Sequence, residues 1–467
     1  MPRLTATAVG PLEPTLPGRR MPRRDTTRVE RGVAVRARIA AARRPAPGAA
    51  LGCAALAGAL AAGVAICVAG AGQRLYFFVP AEHGGSPGWL RGPLAGLGLH
   101  LGAGAGAALL VVMFACYLVA LALARRIPAA LAIGAIVAMH VVVALAPPLF
   151  SADVFSYIDF ARLGAVHGLS AYSHGASAAP GDAVVPFVGW HDVSSPYGPL
   201  FTIASYAFAH LSVAVTLWIY KAIAAVAGLG CVALVWRLAA AGRQEPRRAA
   251  MLVGLNPLFV IYGVGGAHND LVTELLVLGA LTSALGARRE AAAGAQLALA
   301  ALTKASAGFV APFMLIGARR PLRTVAGALA GVVAVGAAAL GVLGGSVLAF
   351  LPQLVDQQRL VAHFSVPNQI GVLLGQGALT SPIRLACSAG FALAVGWLLW
   401  RAWRGADWIA CAGWATLAGL VTSAWLTPWY VVWLLPLAAI APSRRLRIAT
   451  LLFCAYLLAT RVVSHLL

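Results

Sequence analysis

Side chains able to do chemistry gather in a few short stretches of this chain. The densest is Ser151–Pro199, SADVFSYIDFARLGAVHGLSAYSHGASAAPGDAVVPFVGWHDVSSPYGP, with four acids, three histidines, three tyrosines and a tryptophan. Asp153 opens an expected helix, with Ser151 as its N-cap. A lone carboxylate there has two readings: an acid favoured by the helix macrodipole, by roughly 0.3–1 kcal/mol, or a general base. Asp153 and Tyr157 are four apart and share a face. Asp159 lies six residues on, about 240° round at about 100° per residue, so the two carboxylates do not form a pair on one face. Asp159 and Arg162 are three apart and spaced to pair with each other, as a structural ion pair or as part of a site. Tyr157, Asp159, Arg162, Tyr172 and Tyr197 are the candidate substrate contacts of this stretch.

Four other places carry polar chemistry. Gly265-Gly266-Ala267-His268-Asn269-Asp270 precedes Thr273 and Glu274, and reads as a site or as a helix cap. Lys304 sits in ALTKASAGFVAPF. A membrane-embedded ammonium costs roughly 2.5–3.5 kcal/mol on insertion scales and is usually kept for a ligand or partner; the alternative is a snorkelling lysine. Ser306, Gly308 and Pro312 suggest a helix break beside it, where free N–H groups can cradle an anion. The stretch Gln353–Gln369 adds Gln357, Arg359, His363, Asn368 and Gln369 and is polar enough to cap a cavity. Thr427-Pro428-Trp429-Tyr430 with Trp433 reads first as an interfacial aromatic belt and second as a sugar-stacking surface. The seven cysteines stand singly in apolar runs without a CxxC or Cys/His cluster, so no metal or redox site is expected.

These residues must be positioned by membrane helices. Of 467 residues, 61% are hydrophobic and 10% charged, and the mean hydropathy is +0.85. Soluble domains carry about 45–50% apolar and about 25% charged residues, which excludes a soluble enzyme, a disordered chain and a disulfide scaffold. The fold expected is all-α and polytopic, with about 13 transmembrane helices at 49–71, 97–124, 127–148, 213–239, 249–265, 270–287, 291–304, 306–318, 322–347, 382–403, 406–425, 429–441 and 446–464. Of these, 291–304 with 306–318 and 429–441 are short. Residues 1–48 read as a disordered basic cytoplasmic tail, and 49–467 as one transmembrane domain.

The net charge of +21 does not point to nucleic acid. Only Lys221 and Lys304 are lysines, and the arginines cluster between apolar runs. With the N-terminus inside, 27 of the 35 cations fall on the cytoplasmic side and five outside, a strong positive-inside bias. Asp153, Asp159, Asp182, Asp192, Asp270 and Asp356 fall outside. Counting 197–212 as a span would invert the 237–248 arginine cluster, so it is placed as a juxtamembrane helix. The first outer loop is then 149–212 and the second 348–381.

On these residues the sequence resembles the polyprenol-phosphate-mannose-dependent α-mannosyltransferases of the GT-C class of membrane glycosyltransferases. SADVFSY, SPYGPLF, GAHNDL, LTKASAGFVAP, VPNQIG and TPWYVVWLLP follow in the family's order over residues 127–440. Ser170-Ala171-Tyr172 stands where family members often have Asn-Pro-Tyr. The resemblance implies a GT-C-like fold with Asp153 as general base. Lys304, or alternatively Arg359, would be the cation on the lipid phosphate. It implies a polyprenyl-phosphate sugar donor, a glycolipid or lipoglycan acceptor, an inverted α-mannoside product, membrane lipid as surroundings, and no cofactor or metal. Sugar nucleotides are absent outside the cytoplasm, so a transferase on the outer face of the plasma membrane would draw on a lipid-linked sugar. Two alternatives stay open: a GT-C transferase with another lipid-linked sugar, and a flippase or transporter of such lipids. The latter should show repeated halves and mid-membrane charges. The transferase reading requires Asp153, His268, Asn269, Asp270, Lys304 and the 353–369 stretch to face one cavity.

Overall fold

The protein is described by a computed structural model covering residues 48–72, 87–286 and 289–466. The tail expected over 1–48, apart from Gly48, lies outside the described residues, as do Arg74 and Arg288. Among the described residues all regular structure is helical. In chain order the helices are α1 (Ala49–Gly72), α2 (Ala103–Ala122), α3 (Ala129–Leu145), α4 (Asp153–Ala165), α5 (Pro199–Ser205), α6 (Val213–Ala241), α7 (Pro246–Gly254), α8 (Asp270–Leu285), α9 (Glu290–Thr303), α10 (Ala311–Gly317), α11 (Pro321–Leu343), α12 (Phe350–Gln357), α13 (Val366–Leu373), α14 (Ser381–Trp403), α15 (Trp408–Thr422), α16 (Leu435–Ile440) and α17 (Arg444–Leu466). A π-helical segment, Leu258–Val264, and several short 3-10 segments, among them Ala305–Val310 and Pro428–Trp433, interrupt the series.

Each of the thirteen expected apolar segments contains helix in its described part, and the chain is a polytopic membrane protein. Among the described residues, six helical stretches are long and apolar enough to cross a bilayer: α1, α2, α6, α11 continued to Gln357, α14 and α17. The others are shorter or broken. The 249–265 segment breaks at Leu255–Pro257, and the 291–318 segment at Lys304. Residues 197–212 fold as α5 and one 3-10 turn ending at Phe208. Those ten helical residues span only ~15 Å at about 1.5 Å per residue, too little to cross. On α14, Leu385, Leu393 and Trp403 are exposed, the distribution of a helix that meets hydrocarbon on most of its sides.

Helices α9 and α11 approach closely because both are glycine-bearing at the contact. A β-carbon on Gly327 would collide with the Ala291 carbonyl, and one on Gly294 with the Thr324 carbonyl. Gly327 and Gly331 are four apart, the small-residue spacing that lets membrane helices touch backbone to backbone.

The helices near the polar segments stop early, and each stop strands carbonyls that need donors. Pro147-Pro148 ends α3 at Leu145. Lys221, fully buried on α6, donates to the carbonyls of Val143 at 2.9 Å, Pro147 at 3.3 Å and Gly265 at 2.9 Å. One ammonium thus ties the end of α3 to the glycine turn before α8. Lys221→Met should leave the Pro147 carbonyl without this donor, at about 1–3 kcal/mol, and leave the Gly265 and Val143 carbonyls with their backbone donors, Leu149 N–H and Ala146 N–H, alone. The thermal midpoint in detergent should fall by several degrees; a variant that melts like the parent would show that the carbonyls find other donors.

Candidate active site

Asp153 is the first residue of α4, and its N–H donates to Ser151 Oγ at 3.2 Å. Ala152 occupies the N-cap position, so Ser151 caps from one residue further out than expected. The turn that delivers Asp153 is strained. Phe150 has φ 60°, and Ala267, directly before His268, has φ 56°. Residues carrying a β-carbon adopt this region at a cost on the order of 1–3 kcal/mol. The two turns are joined: the Leu149 N–H donates to the Gly265 carbonyl at 3.0 Å, the same oxygen that Lys221 binds.

The π-helical segment sets the following turn, with Gly265 N–H on Val260 and His268 N–H on Gly263, each five residues back. Such bulges recur at functional sites. The glycine pair has a steric reason as well. A β-carbon on Gly266 would stand 2.6 Å from His268 Nε2. The His268 ring lies flat on Trp429, with centroids 3.9 Å apart and planes 16° apart. Its Nδ1 is 3.4 Å from Asp153 Oδ2, close enough for charge interaction, and neither ring nitrogen makes a hydrogen bond. Burial alone would raise the Asp153 pKa. His268, Lys304 and the Ser151 hydroxyl outweigh it and hold the carboxyl below its ordinary value.

Behind this pair lies a second acid. Asp270, fully buried at the start of α8, accepts from Lys304 Nζ at 2.8 and 2.7 Å and from Trp433 Nε1 at 2.7 Å. Lys304 follows the last residue of α9, where the chain breaks as expected. Its ammonium lies over the rings of Tyr430, Trp433 and Tyr197, at 5.2, 5.6 and 5.8 Å from their centroids. Tyr197 reaches it because Gly198 N–H donates to the Thr303 carbonyl at 3.0 Å; a β-carbon on Gly198 would collide with the Leu302 carbonyl. The buried Tyr157 hydroxyl accepts from Asn269 N–H at 3.4 Å. Its ring meets Tyr197 edge-on at 4.9 Å. Asn269 is buried with both polar side-chain atoms unpaired.

Asp153, Tyr197 and Lys304 line one cavity of about 810 Å³, together with Gln357, Gln358 and Pro367 of the 348–381 segment. His268, Asp270 and Tyr157 stand directly behind this wall. The lining mixes two kinds of side chain. Asp153, Ser156, Lys304 and the two glutamines are polar. Phe309, Phe391 and Leu420 are apolar, and Phe309 meets Phe391 edge-on with centroids 5.8 Å apart.

Besides Tyr157, His268, Asn269 and Asp270, six further expected contacts do not line the cavity. Arg162 binds Asp182, at 2.8 and 3.0 Å, rather than Asp159, and also the Ala209 carbonyl at 2.9 Å. The reason is reach: Asp182 comes from a distant turn that also takes His167 at 2.6 Å, which closes the 149–212 segment on itself. Asp159 is buried beside this cluster; burial and the Asp182 charge push its carboxyl up to about 7. Tyr172 donates to the Tyr197 carbonyl at 3.1 Å, and its own carbonyl accepts from Gln353 Nε2 at 3.2 Å. Arg359 is 80% exposed and pairs with Asp356 at 3.5 Å. Asn368 donates to the His363 carbonyl at 2.8 Å and accepts from Leu379 N–H at 2.9 Å, so it and His363 shape the 348–381 segment.

Trp429, Tyr430 and Trp433 wall the cavity, joined by Trp425, so of the two readings of 427–433 the interfacial belt gives way to rings that face a cavity. The 3-10 segment turns these rings inward, and Trp433 has a buried acid to bind. Trp190, Arg384 and Arg461 line the cavity too. Arg461 carried a signal, a cation inside an apolar segment; Trp190 and Arg384 carried none.

Residues 55–320 match the family described as alpha-(1->6)-mannopyranosyltransferase, N-terminal domain, and residues 360–462 match the MptB C-terminal domain. The chain is 30% identical to alpha-(1->6)-mannopyranosyltransferase A of Mycobacterium tuberculosis over 366 residues, 70% of this chain and 69% of that one. It is 28% identical to alpha-(1->6)-mannopyranosyltransferase B of Corynebacterium glutamicum over 349 residues, 63% of this chain and 56% of that one. It is 32% identical to alpha-(1->6)-mannopyranosyltransferase A of Corynebacterium glutamicum over 199 residues, 38% and 37% of the two chains. No solved structure matches it significantly.

The Asp270–Lys304 pair gives a stability test. Lys304→Met leaves a buried carboxylate uncompensated, a loss on the order of 3–5 kcal/mol. Adding Asp270→Asn should restore much of it. Additive losses in thermal unfolding would mean that the two charges are not coupled.

Proposed function

The chain belongs to the alpha-(1->6)-mannopyranosyltransferase family and is a membrane glycosyltransferase; from that premise we propose that it moves mannose from a polyprenyl-phosphate donor to a glycolipid or lipoglycan acceptor. The observation that carries this reading is one cavity lined both by polar side chains, Asp153 and Lys304 among them, and by apolar ones, Phe309, Phe391 and Leu420. A sugar phosphate suits the first and an isoprenoid chain the second. Part of the lining comes from α14, which otherwise meets hydrocarbon. The positive-inside distribution supports a cytoplasmic N-terminus, and with it a site on the outer face of the plasma membrane.

The step is a single in-line displacement. Asp153 takes the proton of an acceptor hydroxyl, whose oxygen attacks the anomeric carbon of a β-mannosyl phosphate. As that bond forms, the bond to the phosphate oxygen breaks, and the lipid phosphate leaves with the electron pair. Inversion gives the α-mannoside. Protonated Asp153 then returns its proton to water. Lys304 spends two of its three N–H donors on Asp270 and keeps one for the phosphate. Arg384, which lines the cavity, serves as second cation in place of the outlying Arg359. These charges stabilise the departing monoester without a divalent metal.

Asp153→Asn should lower transfer from radiolabelled polyprenyl-phosphate mannose by about 10²-fold or more, at unchanged protein level in the membrane. Full activity in this variant would remove Asp153 as the base. The acid limb has a sign. A carboxyl held below its ordinary pKa of about 3.9 is already ionised at neutral pH. The rate should therefore stay level from about pH 7 to about pH 5 and fall only as pH drops through the lowered value. An acid limb close to neutrality that persists in an Asp153→Glu variant would assign proton removal to another group.

A further inference from the structure

We propose that Trp190 and Trp425 form a clasp at the cavity mouth that binds a pyranose ring of the acceptor, an assignment that rests on the mannosyl-transfer reading above. The two rings meet edge to face, with centroids 5.9 Å apart and planes 77° apart, and both line the same cavity as Asp153. Trp190 is 45% exposed although it is large and apolar, so part of its surface is open to an occupant.

The clasp is built from two segments far apart in sequence, each fixed by its backbone. On one side, Gly189 sits against the residue before Asp153: a β-carbon there would be 3.4 Å from Ala152 Cβ. The His191 carbonyl accepts from Ser177 N–H at 2.9 Å. Trp190 thus follows a glycine packed against Ala152 and precedes a residue whose carbonyl is hydrogen-bonded. On the other side, the Ala424 carbonyl accepts from Ala362 N–H at 2.8 Å, and the Trp425 carbonyl from Ser423 Oγ at 2.7 Å. Trp425 is therefore tied to the 348–381 segment.

The chemistry selects the ligand. A pyranose has a face of C–H bonds and a rim of hydroxyls. The first packs on an indole ring, and the second needs paired donors and acceptors. Gln357 and Gln358, whose side-chain amides supply both, line the same cavity. A polyprenyl chain needs apolar side chains instead, such as Phe309, Phe391 and Leu420 of the same lining.

The test is direct binding of a synthetic probe, octyl α-(1→6)-dimannoside, to the detergent-purified full chain by titration calorimetry. Trp190→Ala and Trp425→Ala should each weaken its Kd by about tenfold, whereas Trp190→Phe should bind within about twofold of the parent. The KM for polyprenyl-phosphate mannose should not change in the tryptophan variants. Unchanged Kd in both alanine variants overturns the clasp, and so does a parent chain that does not bind the probe. If those variants lose only membrane association or thermal stability, the rings are interfacial anchors and the clasp is equally overturned. A matching rise in the donor KM would show a collapsed cavity and also count against it. A parent chain that binds the dimannoside through these tryptophans yet transfers no mannose keeps the clasp and sinks the transfer reading.

Discussion

Backbone polar groups inside a membrane must be paired, and the site of this protein exists because one lysine pairs three of them. The region around Asp153 and His268 is made of helix ends, a π-helical turn and two residues in the left-handed region. Continuous helices would have satisfied every carbonyl but left no room for a polar cavity. Lys221 resolves the conflict from the flank. Its ammonium reaches the carbonyls of Val143, Pro147 and Gly265, and the Gly265 oxygen also takes the Leu149 N–H. Strain in the turns at Phe150 and Ala267 is thereby held in place rather than relaxed.

The same economy governs the charges. Asp270 is fully buried, and it is matched by Lys304 and Trp433. Three aromatic rings near the ammonium add cation–π attraction. Asp153 is treated differently. It lines the cavity, with the His268 ring nitrogen 3.4 Å from its carboxylate and the Ser151 hydroxyl and Lys304 also acting on it. One acid is thus fully compensated and acts as scaffold. The other keeps its lone pairs accessible, as proton transfer requires. The two are linked through a short run of backbone, His268 to Asp270, so the scaffold acid fixes the register of the ring beside the reactive one.

The sequence already carried the fold class and much of the site. Thirteen apolar segments, the arginine asymmetry and the short polar interruptions foretold a helical membrane protein with a polar cluster, because period, length and charge are local properties of the chain. Asp153, His268, Asp270 and Lys304 stood out for a related reason: polar groups are rare here, and each lies where a helix breaks. Their convergence was expected from alternation of the spans, which puts the start of α4, the start of α8 and the end of α9 at one level.

Partnership was another matter. Asp159 and Arg162 had the spacing to pair, yet Arg162 turned to Asp182, twenty residues on. Arg359 looked like a phosphate cation and faces outward, whereas Arg384 lines the cavity. Trp429 and Trp433 had the composition of an interfacial belt and instead stack on His268 and bind Asp270. Sequence determined where the chain had to be helix, where it had to break and which side chains were too polar to be there by accident. Only tertiary structure decided which of them meet, since a side chain's partner depends on the rotation and tilt of packed helices. Local periodicity leaves both open; contacts between residues a hundred or more positions apart fix them.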